Sequence, residues 1–513
     1  QPQRFEDLIV EISLFRPGPV KSDMVKPYLQ RRHGFERSDL LHPSLEPILR
    51  ETNGVIVYHE QLIRAIAAVT GCSLADADHV RRNLDSERAE MPSQPGERFM
   101  DQALPGDTEV ARWFKGAAVR NGFAPDHAER LWKEVFAFAS FGFCKSHAAA
   151  FALPTYLSAW LKAHHPAEFY AGLLTHDPGM YPRRLIVADA RQHGIPILPI
   201  DVNSSDKTYR AERVGDRLGV RLALSEVRDI SGAEMDSIVT ERAAGGPFRD
   251  LEDLWRRCDV SRPVLENLIH VGALDAIRGG RSRRELIWRA IELSERPRPE
   301  RLEAGSQLVL GLDTPIAGSL EGLRDYSPLE ETEAELEIAG IDARRHVMEL
   351  YRPLMAELGC VTAEGLKALR NDSEVWVAGV KVASQTPAIR SGQRIIFVTI
   401  DDLTGPLDIT VFERVQPWCA QVAFHSWLLL VRGVMRKRGG ASRVFTTRPQ
   451  DVGITIVVEE LFDLAELARD HGRGVPVAEA IERQRARYRM GTIEPGEQPK
   501  ARLWHASGGS AGR

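Results

Sequence analysis

Leu407-Asp408-Ile409-Thr410-Val411 alternates apolar and polar side chains, the pattern of a strand with one buried face. Just before it, Ile395 to Ile400 is apolar and β-branched, and further back Val375 and Val377 alternate in the same sense. Asp401-Asp402-Leu403-Thr404-Gly405 separates two of these runs, and Gly439-Gly440 marks a later turn. Short strands at this spacing predict a small barrel over residues 373–455. Asp401 and Asp402 sit where a strand meets a turn. Asp is favoured there by its own hydrogen bonding, so the pair is read as turn-forming and not as a metal-binding couple.

Toward the N-terminus the period lengthens. Residues 295–335 are rich in Glu, Pro and Gly with weak periodicity and read as a linker. From about 218 to 280, short helices are separated by glycine turns at Asp229-Ile230-Ser231-Gly232 and Val271-Gly272-Ala273-Leu274-Asp275. The first 200 residues are helix-rich. Leu62, Ile66 and Val69 share one face ahead of a stop at Gly71. Ser73-Leu74-Ala75-Asp76 resembles a capping box, with Asp76 reaching back to the backbone N–H. The next helix buries Ala77, Val80 and Leu84, which turns Arg81 and Arg82 outward. A further helix is expected from about Ala148 to His164, kinked at Pro154, and a short strand over 195–200. Beyond residue 470 the chain is Arg-, Glu- and Gly-rich and is expected to fray. Gln1 is followed almost at once by the amphipathic run Phe5 to Ile12, so the chain reads as the C-terminal part of something longer.

The 513 residues are enough for three or four domains, and a 43% hydrophobic, 27% charged composition excludes global disorder. No apolar stretch has the length of a membrane span, so no membrane partner is expected. Five cysteines stand singly, which argues against a disulfide scaffold or a cysteine zinc site and fits a reducing cytoplasm. A net charge of −5 argues against a uniformly basic nucleic-acid binder but leaves room for local patches.

Several groups in this frame can carry chemistry. Arg81 and Arg82 form either a phosphate clamp or a solvated helix face. In Phe141-Gly142-Phe143-Cys144-Lys145-Ser146-His147, Lys145 and His147 stand at the positive end of a helix, where a triphosphate can bind; the same residues also make an ordinary helix start. Arg16, in Arg16-Pro17-Gly18-Pro19, presents one cation from a rigid turn. His164 and His165 point about 100° apart on a helix and are not read as metal ligands. The turn at Ser231-Gly232 suits a helix-hairpin-helix whose backbone N–H groups meet a DNA phosphate, and equally a plain helical hairpin. Gly272 marks the second turn, with Arg281, Arg283 and Arg284 just after it adding positive charge. In the β unit, Arg432, Arg436, Lys437, Arg438, Arg443 and Arg448 surround Gly439-Gly440. With Phe397 or Phe445 as a stacking platform they suit single-stranded nucleic acid; alternatively they are a charged edge that blocks aggregation. Gln307-Leu308-Val309-Leu310-Gly311-Leu312 is either a groove-docking peptide or a stray apolar run.

Taken in order, the segments FEDLIVEISLFRPGP from Phe5, GVIVYHEQLIRAIAAVTG from Gly54, ADADHVRR from Ala75, FGFCKSHAAAFAL from Phe141 and WLKAHHPAEFYAGLL from Trp160 resemble the C-terminal half of the bacterial DNA polymerase III alpha subunit. YHEQ, HHPAE and the ending LWHASGGSAG resemble the error-prone branch of this family. The resemblance implies a mainly α multidomain chain followed by an all-β OB-fold. Fingers would span 1–205, a tandem helix-hairpin-helix 206–294, and a linker with short helices and a possible clamp-binding peptide 295–372. The OB-fold would span 373–455, with a C-terminal helix and tail over 456–513. It implies nucleotide contacts by Arg81, Arg82 and His147, with Lys145 and Arg16 secondary. DNA contacts would come from Ser231, Gly232, Gly272, Arg281, Arg283, Arg284, Arg436, Lys437 and Arg438, and clamp contacts from Gln307, Leu308, Leu310 and Leu312. The implied partners are primer-template DNA, single-stranded DNA, dNTP and a sliding clamp.

Two features depart from the family pattern. Asn83-Leu84-Asp85-Ser86-Glu87 puts carboxylates where a basic stretch is usual, and Gly311-Leu312 replaces the usual aromatic end of the clamp peptide. In this family two Mg²⁺ ions are held by palm aspartates that precede the resembling region, so the chain by itself is expected to be inactive and to bind no metal. A non-catalytic DNA-binding accessory protein is the main alternative, and an RNA-binding barrel a weaker one.

Overall fold

In a computed structural model, the structure describes residues 2–14, 24–37, 42–89, 108–139, 143–179, 181–295, 322–386, 395–438 and 453–489. The chain divides into two units, one running to His164 and one beginning at His165.

The first unit is helical: α1 Phe5–Leu14, α2 Val25–Arg32, α3 Glu46–Leu49, α4 His59–Thr70, α5 Leu74–Ala89, α6 Glu109–Arg120, α7 Pro125–Ala139 and α8 Lys145–His164. Leu62, Ile66 and Val69 of α4 close on Ala77 and Leu84 of α5, Phe114 of α6 and Trp132 of α7. Gly71 ends α4 at φ +75°, a left-handed conformation that costs glycine nothing. The cap of α5 differs from the box expected. Ser73 Oγ accepts from the Asp76 N–H, but the Asp76 carboxylate bonds the Ser73 hydroxyl at 2.7 Å, not the backbone. Helix α8 starts at Lys145, three residues earlier than its sequence suggests, and carries Pro154 inside it.

The second unit contains α9 Pro166–His176, α10 Arg183–Gln192 and a small sheet ordered β1–β3–β2 (Ile197–Leu198, Arg217–Arg221, Arg210–Val214). The short helices α11 Gly232–Gly245, α12 Leu251–Arg257, α13 Arg262–His270 and α14 Arg283–Ser294 share one core with it, around Leu222, Phe248, Leu254, Leu265 and Leu286. Two helices follow, α15 Pro328–Ile338 and α16 Val347–Glu357. A closed barrel ordered β4–β5–β6–β8–β7 comes next (Glu374–Gln385, Ile396–Asp401, Pro406–Val411, Gly453–Asp463, Leu428–Arg438), with α17 Gln416–His425 between β6 and β7. Alternating Val375, Val377, Ile400, Leu407, Ile409 and Val411 fill its interior, as their pattern predicts.

Two readings need correction. The stretch read as a linker ends in helix α15, opened by a reciprocal cap between Ser327 and Glu330. Its periodicity is weak because the buried face includes Glu335, whose carboxylate takes 2.6 Å from Arg344 Nη1. At the other end, β8 runs on to Asp463, past the expected boundary at 455; α18 Leu464–Gly472 and α19 Val477–Arg489 follow, and Ala480 of α19 is buried beyond residue 470, where fraying was expected. Their polar sequence is an outer face, tied down by Arg485 to Glu460 and Arg487 to Glu466.

Lys381 of β4 is buried, and its Nζ donates to the carbonyls of Ala423 and Phe424 at 2.9 Å each, capping the C-terminal end of α17. Burial pushes its pKa down to about 8. The unfolded chain holds that proton up to about pH 10.5. Between those values the unfolded state binds more protons, so the contribution of Lys381 to stability rises with pH. The expected result is a gain of about 3 kcal/mol across this window. Urea midpoints at pH 8 and pH 10 should show a rise that Lys381→Met removes.

Candidate nucleic-acid interface

Three places hold the residues in question. In the first unit, a parallel bridge between Tyr58 and Phe143 brings the N-termini of α4 and α8 side by side. The positive end of α8 is already occupied: Glu60 accepts the Lys145 N–H at 3.1 and 3.2 Å. Burial opposes ionisation of Glu60, yet this N–H and the Cys144 thiol hold its pKa below the usual carboxylate value. Lys145 Nζ sits 2.5 Å from Glu51 and 5.5 Å over the Tyr58 ring. His147 is exposed, edge-on to Phe143 and Phe151.

Arg81 and Arg82 both bond the carboxylate of Asp78, at 3.0 and 2.7 Å, and hydrogen bonding to Arg81 above all keeps that carboxylate ionised. Only Arg82 turns outward as expected. The Arg81 side chain is 14% exposed, held in by Asp78, against 71% for Arg82. Sequence reasoning passed over Asp78 and Glu60. Asp78 was detectable at i−3 and i−4 from the two arginines; the pairing of Glu60 with a residue 85 positions away was not. Arg16 and the side chains of Asp85 and Glu87 lie outside the described residues.

The two glycine turns of the second unit behave differently from one another. At the first, Asp229 holds φ +66° and Ser231 caps α11, while Gly232 has open space where a Cβ would sit. The Ser231 N–H donates to Glu234 at 2.8 Å. Burial opposes ionisation of Glu234. Donors from Ser261 and Ser231 outweigh it and bring the pKa down to about 2.

At the second turn Gly272 and Arg283 both have partners within the chain. The Gly272 N–H donates to Ile269 and its carbonyl accepts from Arg344. A Cβ there would lie 2.2 Å from Arg283 Nη2 and 2.4 Å from Arg344 Nη2. Arg283 is 1% exposed and paired with Asp275 at 2.6 Å. This glycine makes room for two guanidinium groups. Arg281, half-exposed, reaches Glu252 at 3.4 Å. Arg284 bonds Glu330 at 2.5 Å and covers the Tyr326 ring.

On the barrel, Phe397 of β5 is exposed, and so is Phe412, one residue past β6, which sequence reasoning did not single out. Arg432 pairs with Glu460 and Glu374, Arg436 with Asp372, and Lys437 Nζ donates to the Lys367 carbonyl. Arg438 ends β7. Arg443, Phe445 and Arg448, like Gln307, Leu308, Leu310 and Leu312, lie outside the described residues. Asp401 and Asp402 are turn residues as read, accepting from the N–H groups of Leu403 and Thr404. Among the described residues no three His, Cys, Asp or Glu side chains come together to hold a metal, and no helix is long and apolar enough to cross a membrane.

Residues 1–105 match the bacterial DNA polymerase III alpha subunit finger domain, 194–286 a helix-hairpin-helix motif and 374–464 an OB-fold nucleic acid binding domain. The chain is 32% identical over 487 residues to an error-prone DNA polymerase of Symbiobacterium thermophilum, covering 87% of this chain and 43% of that protein. It is 34% identical to those of Corynebacterium glutamicum (88% and 40%) and Mycobacterium tuberculosis (87% and 38%). It thus spans about two fifths of the length of the curated relatives it matches. Three domain matches in one order, with identity running along nearly the whole chain, place it: it belongs to the bacterial DNA polymerase III alpha family, on the error-prone branch.

Proposed function

We propose that this chain supplies the nucleotide-, duplex- and single-strand-handling parts of a polymerase that carries out templated, damage-associated DNA synthesis. The observation that carries the proposal is the succession of finger, helix-hairpin-helix and OB matches beside relatives named error-prone DNA polymerase. On this reading Arg82 is the leading triphosphate contact, with Arg81, His147 and Lys145 around it. Asp78 holds the two guanidinium groups until a phosphate displaces it, since a guanidinium binds either oxyanion through the same paired N–H groups. Duplex contact rests on Gly232 and Arg281, and single-strand contact on Phe397 and Phe412 with the cations near β7. In this reading the Mg²⁺ ions of the reaction are held by the palm of the whole enzyme. A sliding clamp remains a proposed partner through Gln307–Leu312.

Primer extension by the complete gene product tests this. Arg82→Ala is expected to raise the dNTP KM roughly tenfold to a hundredfold, the loss of a charge-assisted contact worth about 1.5–3 kcal/mol. An unchanged KM would remove Arg82 from the site. A complete product with no polymerase activity would favour the accessory-protein reading.

A further inference from the structure

Successive residues of β5 and β6 alternate between the barrel interior and its outer surface. Val398, Ile409 and Val411 belong to the interior, so Phe397, Thr399, Asp408 and Thr410 stand on the outside. The register pairs Phe397 with Thr410 and Thr399 with Asp408. Thr410 is buried, whereas Phe397 is 37% exposed and Phe412, two residues further on, 41%. Asp408 is exposed as well. Its one side-chain hydrogen bond among the described residues is with the Thr399 hydroxyl, which donates to Oδ1 at 2.7 Å. That leaves Oδ2 open to a donor from outside the chain.

A carboxylate with no cation beside it is unfavourable where phosphates pass and useful where base edges arrive. We propose that Asp408 is a specificity residue of the single-strand site, favouring bases that carry an amino group (cytosine, adenine and guanine) over thymine and uracil. The inference rests on the single-strand reading of Phe397 and Phe412 and adds a base preference to it. Phe397 and Asp408 are diagonal neighbours in the β5–β6 ladder, a relation that puts Cβ atoms roughly 7–8 Å apart. A base stacked on the Phe397 ring can therefore turn its edge to the carboxylate. Ionised carboxylate oxygens only accept. Cytosine N4, adenine N6 and guanine N2 offer them amino hydrogens. Thymine and uracil offer one imino hydrogen, flanked by two carbonyl oxygens that the carboxylate repels. Stacking itself discriminates little, since every base has a π-face. The selective element on this face is Asp408, and Thr399 orients it.

Fluorescence anisotropy of the 513-residue chain with short oligo(dC) and oligo(dU) tests it, because the two bases share a ring size and differ in the amino group. Oligo(dC) is expected to bind roughly fivefold tighter, the low end of what a base-edge contact supplies. Asp408→Asn, whose amide both donates and accepts, should bring the two affinities together by tightening oligo(dU). Its melting temperature should match that of the parent, since an exposed residue is replaced by one of the same shape. Phe397→Ala should weaken both oligonucleotides alike. Equal binding of the two by the parent chain, or a preference that survives Asp408→Asn, would overturn the inference and leave the single-strand reading standing. Unchanged binding by Phe397→Ala would overturn the stacked geometry. A chain that binds neither oligonucleotide would overturn the single-strand reading and the base preference together.

Discussion

Arg283→Met is expected to lower the unfolding free energy of the second unit by about 1–3 kcal/mol, the cost of leaving partly buried acceptors without their charged donor. The Arg283 guanidinium gives Nε and Nη2 to Asp275, at 3.0 and 2.6 Å, and Nη1 to the His270 carbonyl at 3.0 Å. Methionine fills much of the volume and leaves those partly buried acceptors with less to bind. Asp275 retains Arg344 at 2.8 Å, but the His270 carbonyl loses its side-chain donor. Arg281→Ala is the control, because its exposed pairing with Glu252 is worth little. It should leave stability within about 0.5 kcal/mol and flatten the salt dependence of duplex binding by about one unit of slope. Urea unfolding and fluorescence anisotropy across a salt series measure both. A stable Arg283→Met protein with weakened duplex binding would return Arg283 to the interface.

Gly433→Ala is expected to cost about 3 kcal/mol, at the upper end of overpacking, and to melt the barrel before the rest of the chain. Strand β7 carries an irregularity between Arg432 and Gly433, where pairing skips from Glu460 to Val458. There the two backbones approach so closely that a Cβ would fall 2.2 Å from the Val457 carbonyl oxygen and 2.9 Å from Ile456. A carbonyl in a barrel ladder cannot move aside as a flexible side chain can, so relief requires breaking the β7–β8 pairing. Calorimetry should show an earlier transition, and on the proposed reading single-strand affinity should fall with it while duplex affinity persists. A Gly433→Ala protein with an unchanged melting temperature would contradict the close packing of these strands.

Local pattern carried the reading wherever one face of an element is buried. Leu62, Ile66 and Val69 declared α4, and Leu407, Ile409 and Val411 declared β6, because period and burial coincide. The pattern failed at α15, where the buried Glu335 is made tolerable by Arg344, and at α19, whose charged residues pair on the outer face. In the candidate interface, residue type marked the cations but not their partners. Arg82 and Arg281 are exposed, and Arg283 is sealed in.

The sequence alone determined that this is a helical chain ending in a small barrel, and its ordered motifs determined the family. Only the tertiary structure decided which basic residues face solvent and what the glycines are for. Arg281, Arg283 and Arg284 have the same chemistry within four positions, and Gly232 and Gly272 both follow a turn. A helix start presents one residue outward and the next inward, and an incoming carboxylate or guanidinium from dozens of residues away settles whether a turn is open to a phosphate. That assignment rests on long-range charge pairing in a low-dielectric interior, which no local period records.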